Sequence, residues 1–376
     1  MVAYTELFSS FLRRNQIKLN EPMSRHTTFG IGGAADCFVM PETIEELQKV
    51  IVEVTKANVP FFILGGGANL LVRDKGIRGV VIYTGRLQSI IHAGNRLRVA
   101  AGVSTTKAAK AALEHGLSGM EFAAGIPGTI GGAAYMNAGA YTGEMADIVV
   151  SVLYCNRNGQ LSVYNKSKLH YDYRHSLFME NGEIIVEITV ELALGNIRDI
   201  EVMMEEFNRR RRMKQPLEKK SAGSTFKRPA GYFVGQMIEE MGLKGFAIGD
   251  AKVSMKHAGF LINDGHASCT DMMNLISEIK RRVFDGYGVE LRHLLRSFFE
   301  DIGNDTHGEF SRVDISVTHH EFFQDIVLDR TGHLFQLGAL FQTGIDIECQ
   351  YRKYGTVHCH GYRHLIQRNT IEQNFH

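Results

Sequence analysis

Apolar positions along this chain change their period several times, and each change marks an element. Ile44, Leu47, Ile51 and Val54 recur at helical spacing behind Thr43 and Glu46, which are spaced as a capping box, so a helix is predicted there. Val59-Pro60-Phe61-Phe62-Ile63-Leu64 is an apolar run with the length of a buried strand. Strands are predicted at 79–83 and 97–101, then a helix over 105–115 that stops at Gly116. Residues 148–154 and 160–164 flank Asn158-Gly159, a hairpin signal, and 184–192 alternates as a strand should. Near Asn196 the texture changes to a helix marked by Ile200, Met203 and Phe207. Helices over 233–241 and 270–284 and a strand over 257–263 complete an α+β segment. At the N-terminus, residues 1–20 are expected as a helix, and 30–36 as a turn into a strand over 37–40. Past 300 the periodicity fades, so 301–376 is expected to be an atypical, weakly ordered tail.

Two stretches escape every period. Gly65-Gly66-Gly67-Ala68-Asn69-Leu70 follows a strand directly and lacks the GK[ST] ending of a nucleoside-triphosphate loop. Residues 123–141 hold five glycines and no charged side chain. Glycine costs roughly 1 kcal/mol against alanine inside a helix, but it lets the backbone run close to a flat or phosphorylated group with its N–H groups exposed. Both stretches therefore read as backbone cradles for a cofactor. Gly30, Gly32 and Ala35 fit GxGxxA, but polar residues precede them and no helix follows, which argues against a dinucleotide fingerprint. The basic run Arg209–Lys214 is either a solvated helix end favoured by the dipole or a clamp for phosphate groups.

Composition narrows the class. With 376 residues, 44% hydrophobic and 22% charged, the chain has the make-up of a soluble globular protein of two or three domains. A net charge of +1 argues against a dedicated nucleic-acid binder. Cys37, Cys155, Cys269, Cys349 and Cys359 form no CxxC pair and are expected as reduced thiols. His358-Cys359-His360 with His364 matches no standard metal spacing, so no metal centre is expected. The N-terminus lacks a signal-peptide core and no apolar run is long enough to span a bilayer, which points to an intracellular protein.

As an ordered set, the motifs over about 20–293 resemble the UDP-N-acetylenolpyruvoylglucosamine reductase family, in its shorter subtype. The set comprises RHTTFGIGG at 25–33, GGGANLLV at 65–72, GIPGTIGGAAYMNAGAY at 125–141, YRHS at 173–176, KQP with SAGSTFKRP at 214–229, and HAGFLIN at 257–263. The resemblance implies an α+β protein. Residues 21–196 would be a two-subdomain FAD-binding module of the vanillyl-alcohol-oxidase (PCMH) type, and 197–300 a domain for the UDP-sugar. It implies FAD and NADPH as cofactors and UDP-N-acetylglucosamine enolpyruvate as a small-molecule substrate. It also implies a monomer in the cytoplasm, with neither membrane nor nucleic acid as partner. Gly65, Gly66, Gly67, Ala68, Asn69 and Leu70 would cradle the FAD diphosphate. Gly125, Pro127, Gly128, Thr129, Gly131 and Gly132 would do so from the other side, while Asn137 and Gly139 line the flavin. Arg174 would grip the substrate carboxylate and developing enolate, and Ser224 would donate the proton with Lys227 and Arg228 as candidate stabilisers. Lys214 would contact the phosphates, and His257 would make a polar substrate contact.

One departure stands out. The family usually has a glutamate after the run that here reads Gly288-Val289-Glu290-Leu291-Arg292-His293, and this chain has Leu294. Glu290 is four residues away, about 13 Å along a strand. An impaired flavin or UDP-sugar binding homologue is therefore the alternative expectation, and a flavin oxidase of the same superfamily a third.

Overall fold

Thr43 Oγ1 accepts from Glu46 N at 3.1 Å and starts the helix Ile44–Lys56, whose Leu47, Val50, Ile51 and Val54 are buried. That helix is the crossover from Ala34–Val39 to Phe61–Leu64. These strands, with Ile17–Pro22 and Ile77–Tyr83, make a four-stranded sheet. Its order puts Ile17–Pro22 at one edge, antiparallel to Ala34–Val39, while the other three run parallel. The computed structural model describes residues 4–297 and, beyond them, the strand backbones at 327–328, 334–335, 345–351 and 357–363.

A second, five-stranded antiparallel sheet is built from Ile90–Ala93, Arg96–Ala100, Ile184–Glu191, Val149–Cys155 and Leu161–Asn165. The helices Thr105–Glu114 and Ile130–Tyr135 lie among its connections, and one continuous apolar core joins this sheet to the helix-bearing face of the first. A third layer follows the 18-residue helix Ile197–Lys214. It pairs the helices Val234–Glu240 and Cys269–Tyr287 with a three-stranded antiparallel sheet, Ala247–Ile248, Ala251–Val253 and Leu261–Asn263.

The third layer has its own core, and Phe29, Ile31 and Leu71 from the first domain are part of it. Polar contacts reinforce the joint. Asn263 Nδ2 donates to the Phe29 carbonyl at 3.0 Å, and the Asp74 carboxylate accepts from Cys269 N at 2.7 Å and Thr270 N at 3.1 Å. Asp74 thus caps a helix of another domain, satisfying donors that a helix start leaves orphaned. Ser268 caps the same helix locally and Asp74 is exposed, so Asp74→Ala should cost only about 1 kcal/mol, a Tm lower by a few degrees. An unchanged Tm would mean that Ser268 suffices.

Three boundaries differ from the sequence reading. Residues 1–20 are helical at Tyr4–Phe8, and Ile17–Pro22 is an edge strand, because its main chain pairs with Ala34–Val39. The second strand begins at Ala34, three residues earlier than expected. Of the stretch 257–263, only Leu261–Asn263 is strand, since Phe260 N closes a turn on the His257 carbonyl at 3.0 Å. Residues 303–376 form a separate unit containing the antiparallel hairpin Ile345–Tyr351 with Val357–Arg363. Apart from that hairpin and the strand pair Val327–Leu328 with Leu334–Phe335, the expected tail after residue 302, His364 included, lies outside the described residues.

Candidate active site

The two glycine stretches meet face to face. A Cβ on Gly66 would stand 2.5 Å from Gly128 Cα, and one on Gly65 would stand 2.5 Å from Thr129 Oγ1, so the loops touch at a distance only glycine allows. Gly67 has φ +62°, and a Cβ there would lie 1.9 Å from the His26 carbonyl oxygen. Among the described residues, none of the backbone N–H groups of residues 65–69 donates a hydrogen bond, nor do those of Gly128 and Thr129. Unspent amides on a cavity wall are what a diphosphate needs, since the amides supply donors without the bulk of side chains. The FAD implied by the resemblance fits on this ground.

A cavity of about 1250 Å³ runs along these loops and reaches all three layers. Gly65–Leu70, Pro127–Thr129, Gly131, Gly132, Gly139, Arg174, Lys214, Ser224, His257 and Leu294 line it. Three of the expected residues do not. Gly125 packs against the long helix, where a Cβ would fall 2.4 Å from Asn208 Oδ1 and 2.5 Å from Arg211 Nη1. Asn137 is fully buried as a post, with Nδ2 donating to Glu144 Oε1 and the Asp172 carbonyl while Oδ1 accepts from Ala146 N. Lys227 falls on the other side of an extended segment, because side chains alternate and Ser224, Phe226 and Arg228 share the cavity side.

Arg174 sits in the left-handed region at φ +56°, uncommon for a side chain of its size. Its Nη1 donates to the Asn137 carbonyl at 2.9 Å and its Nη2 to the Gly139 carbonyl at 2.7 Å, so the glycine-rich stretch aims the guanidinium. Asn137 and Tyr141, at φ +43° and +57°, adopt the same region on either side of Gly139, though neither lines the cavity.

His257 Nδ1 accepts from Gly259 N at 3.1 Å. That bond leaves its proton on Nε2, and burial lowers its pKa from the usual histidine value, so the ring is a neutral donor at pH 7. Ser224 is exposed to the cavity, and its main chain bridges to Phe260. Leu294 lies in the wall with both backbone groups engaged: its N–H donates to the Thr225 carbonyl at 2.7 Å, and its carbonyl accepts from Asn69 Nδ2 at 3.0 Å.

Two features escape the sequence reading. Arg211 is 6% exposed, and its Nε and Nη1 have no hydrogen-bond partner although the residue lines the cavity. Ile200, Met204, Phe207 and Arg211 follow the helical period, which would have singled out this arginine from its run of four. The other feature is a stretch of cavity wall where the Arg157 guanidinium stands 5.4 Å from the Phe61 ring centre, and Glu183 also lines the cavity. Arg157 lies in the hairpin turn, where a lone cation gives no signal in sequence.

Comparison with known proteins agrees with this geometry. Residues 35–164 match the model of an FAD binding domain, and residues 215–296 match that of the UDP-N-acetylenolpyruvoylglucosamine reductase C-terminal domain. The chain is 48% identical over 289 residues to the UDP-N-acetylenolpyruvoylglucosamine reductase of Syntrophomonas wolfei, covering 77% of this chain and 96% of that one. It is 44% identical over 295 residues to the reductase of the same name from Clostridium novyi, covering 78% and 96%. The crystal structure of UDP-N-acetylenolpyruvylglucosamine reductase from Thermus caldophilus superposes with a TM-score of 0.65 at 35% identity, covering 75% of this chain and 98% of that one.

Proposed function

This chain belongs to the UDP-N-acetylenolpyruvoylglucosamine reductase family, and we propose that Arg174, Ser224, Lys214 and His257 serve that reaction from one cavity. The activity is the NADPH-dependent reduction of UDP-N-acetylglucosamine enolpyruvate to UDP-N-acetylmuramate in peptidoglycan synthesis. FAD, when bound, carries the hydride from NADPH to the enolpyruvyl double bond. What the chain's own residues do follows from their chemistry.

The amides of residues 65–69, with those of Gly128 and Thr129, hold the diphosphate, and this unspent row carries the reading. Arg157, Phe61 and Glu183 would receive the adenosine half, a stacking surface with a cation and a carboxylate in the same cavity wall. Arg211, a buried cation with unspent N–H groups on the cavity wall, would supply donors and positive charge to an anionic group bound there. Arg174 donates to the substrate carboxylate and stabilises the enolate as charge moves onto it. Ser224 Oγ gives its proton to the carbon beside the one that takes hydride. Arg228, on the same side of the segment as Ser224, adds positive charge to the cavity wall from over the Phe233 ring, 3.9 Å away, whereas Lys227 does not line the cavity. Lys214 meets the phosphates as a point charge, and His257 Nε2–H donates to a substrate oxygen.

The impaired homologue raised by Leu294 gains no support, since relatives 48% and 44% identical carry the reductase name. Among the described residues no helix is long and apolar enough to cross a membrane. A monomer acting in the cytoplasm is the state we propose, in keeping with a small, charged nucleotide-sugar substrate.

Anaerobic stopped-flow tests the whole reading. NADPH should bleach the flavin absorbance, and the enolpyruvyl sugar nucleotide should then restore it. Bleaching with no recovery would sink the reductase.

A further inference from the structure

The segment 292–297 changes partner halfway along. Lys227 N donates to the Arg292 carbonyl at 2.7 Å, Phe226 bridges His293, and Leu294 N donates to the Thr225 carbonyl at 2.7 Å. Up to this point the segment is a partner strand for the stretch that begins at Ser224. From Leu294 onward it belongs to the other domain. The Leu294 carbonyl takes the Asn69 amide at 3.0 Å, and Arg296–Ser297 runs parallel to Leu70–Leu71, the end of the glycine loop. Leu294 is therefore the joint, with its N–H on the Ser224 side and its carbonyl on the cofactor side. The Asn69 amide nitrogen also lies 3.6 Å from Met136 Sδ, within the second glycine stretch at the end of the helix Ile130–Tyr135.

We infer that Asn69 is a positioning residue for proton delivery: its side-chain amide ties the Leu294 carbonyl, and through it the Ser224 strand, to the loop that holds the cofactor. The main-chain N–H of Asn69 makes no hydrogen bond within the described residues and stays available to the diphosphate, while the side chain is spent on Leu294. A backbone joint also explains how the wall keeps its place with leucine at 294, since neither hydrogen bond uses a side chain of that residue. The inference rests on Ser224 as proton donor. It predicts a split between half-reactions, because hydride arrival from NADPH needs no proton from Ser224, whereas reduction of the double bond does.

The test compares flavin-loaded full-length Asn69→Ala, Asn69→Asp, Asn69→Gln and Ser224→Ala in both half-reactions. In Asn69→Ala, reoxidation by the enolpyruvyl sugar nucleotide should slow at least fivefold more than reduction by NADPH. Asn69→Asp should split them further, as a carboxylate cannot donate to a carbonyl, and Asn69→Gln, which keeps a donor, should recover part of the loss. Equal slowing of both half-reactions, or of neither, in Asn69→Ala beside a Ser224→Ala that has lost reoxidation would overturn this inference alone. Normal reoxidation in Ser224→Ala would overturn the proton-donor reading and the inference with it.

Discussion

Ser224→Ala should reduce reoxidation of the flavin by the enolpyruvyl sugar nucleotide by about 10²–10⁴-fold, the range for losing a positioned general acid. The serine is exposed to the cavity and its side chain supports no core contact, so the variant should keep its fold and melting temperature. A hydroxyl is a poor acid, and the cations that line the same cavity, Arg228, Lys214 and Lys256, make its wall positive and so favour the resulting alkoxide. Ser224→Cys should retain measurable reoxidation, since a thiol is the stronger acid. Stopped-flow absorbance separates this from substrate binding: a rate that stays low at saturating substrate is a proton-transfer defect. Recovery of full speed at saturation would move Ser224 from proton donor to binding contact.

The sequence made the backbone of this site legible more readily than its side chains. Glycine is informative because few physical reasons favour it, and the stretch 65–70 shows two of them, a positive φ and a close approach of loops. Helices with clean stripes and caps, such as Ile44–Lys56 and Cys269–Tyr287, were equally open to reading. Which side chain faces the cavity depends on parity and neighbours, and neither is legible in an isolated motif. Lys227 looked suitable by charge, but one step along an extended segment turned it away from Ser224. Asn137 and Gly125 sit in the right stretch, yet one is spent on Glu144, Asp172 and Ala146 and the other packs on Asn208 and Arg211. Arg211 was hidden among four arginines that share a charge but not a helix face. The joint at Leu294 has no sequence signal, because it uses only main-chain groups of that residue, one of them reached by the Asn69 side chain from 225 residues away.

Gly67→Ala should yield a protein that folds less stably and purifies nearly colourless, and Gly94→Ala is the comparison that isolates the reason. The two glycines have nearly the same left-handed φ, +62° and +63°, so the intrinsic conformational cost of a Cβ, about 1–2 kcal/mol, is common to both. At Gly94 nothing lies within 4 Å of that Cβ, and the strain is the whole effect. At Gly67 the new methyl would meet the His26 carbonyl oxygen at 1.9 Å, backbone against side chain with no flexible end to yield. The loop must then move, and with it the unspent amides of residues 65–69 that face the cavity. Those donors act together on one diphosphate, so a shift of the loop weakens all of them at once; an affinity loss of 100-fold, about 2.7 kcal/mol, is the expected scale. Titrating apoprotein with FAD by flavin fluorescence should show it for Gly67→Ala, while Gly94→Ala binds as the parent does. Parental FAD affinity in a folded Gly67→Ala would mean that this loop is not the cradle, and equal losses in both variants would trace the effect to global stability instead of to the His26 contact.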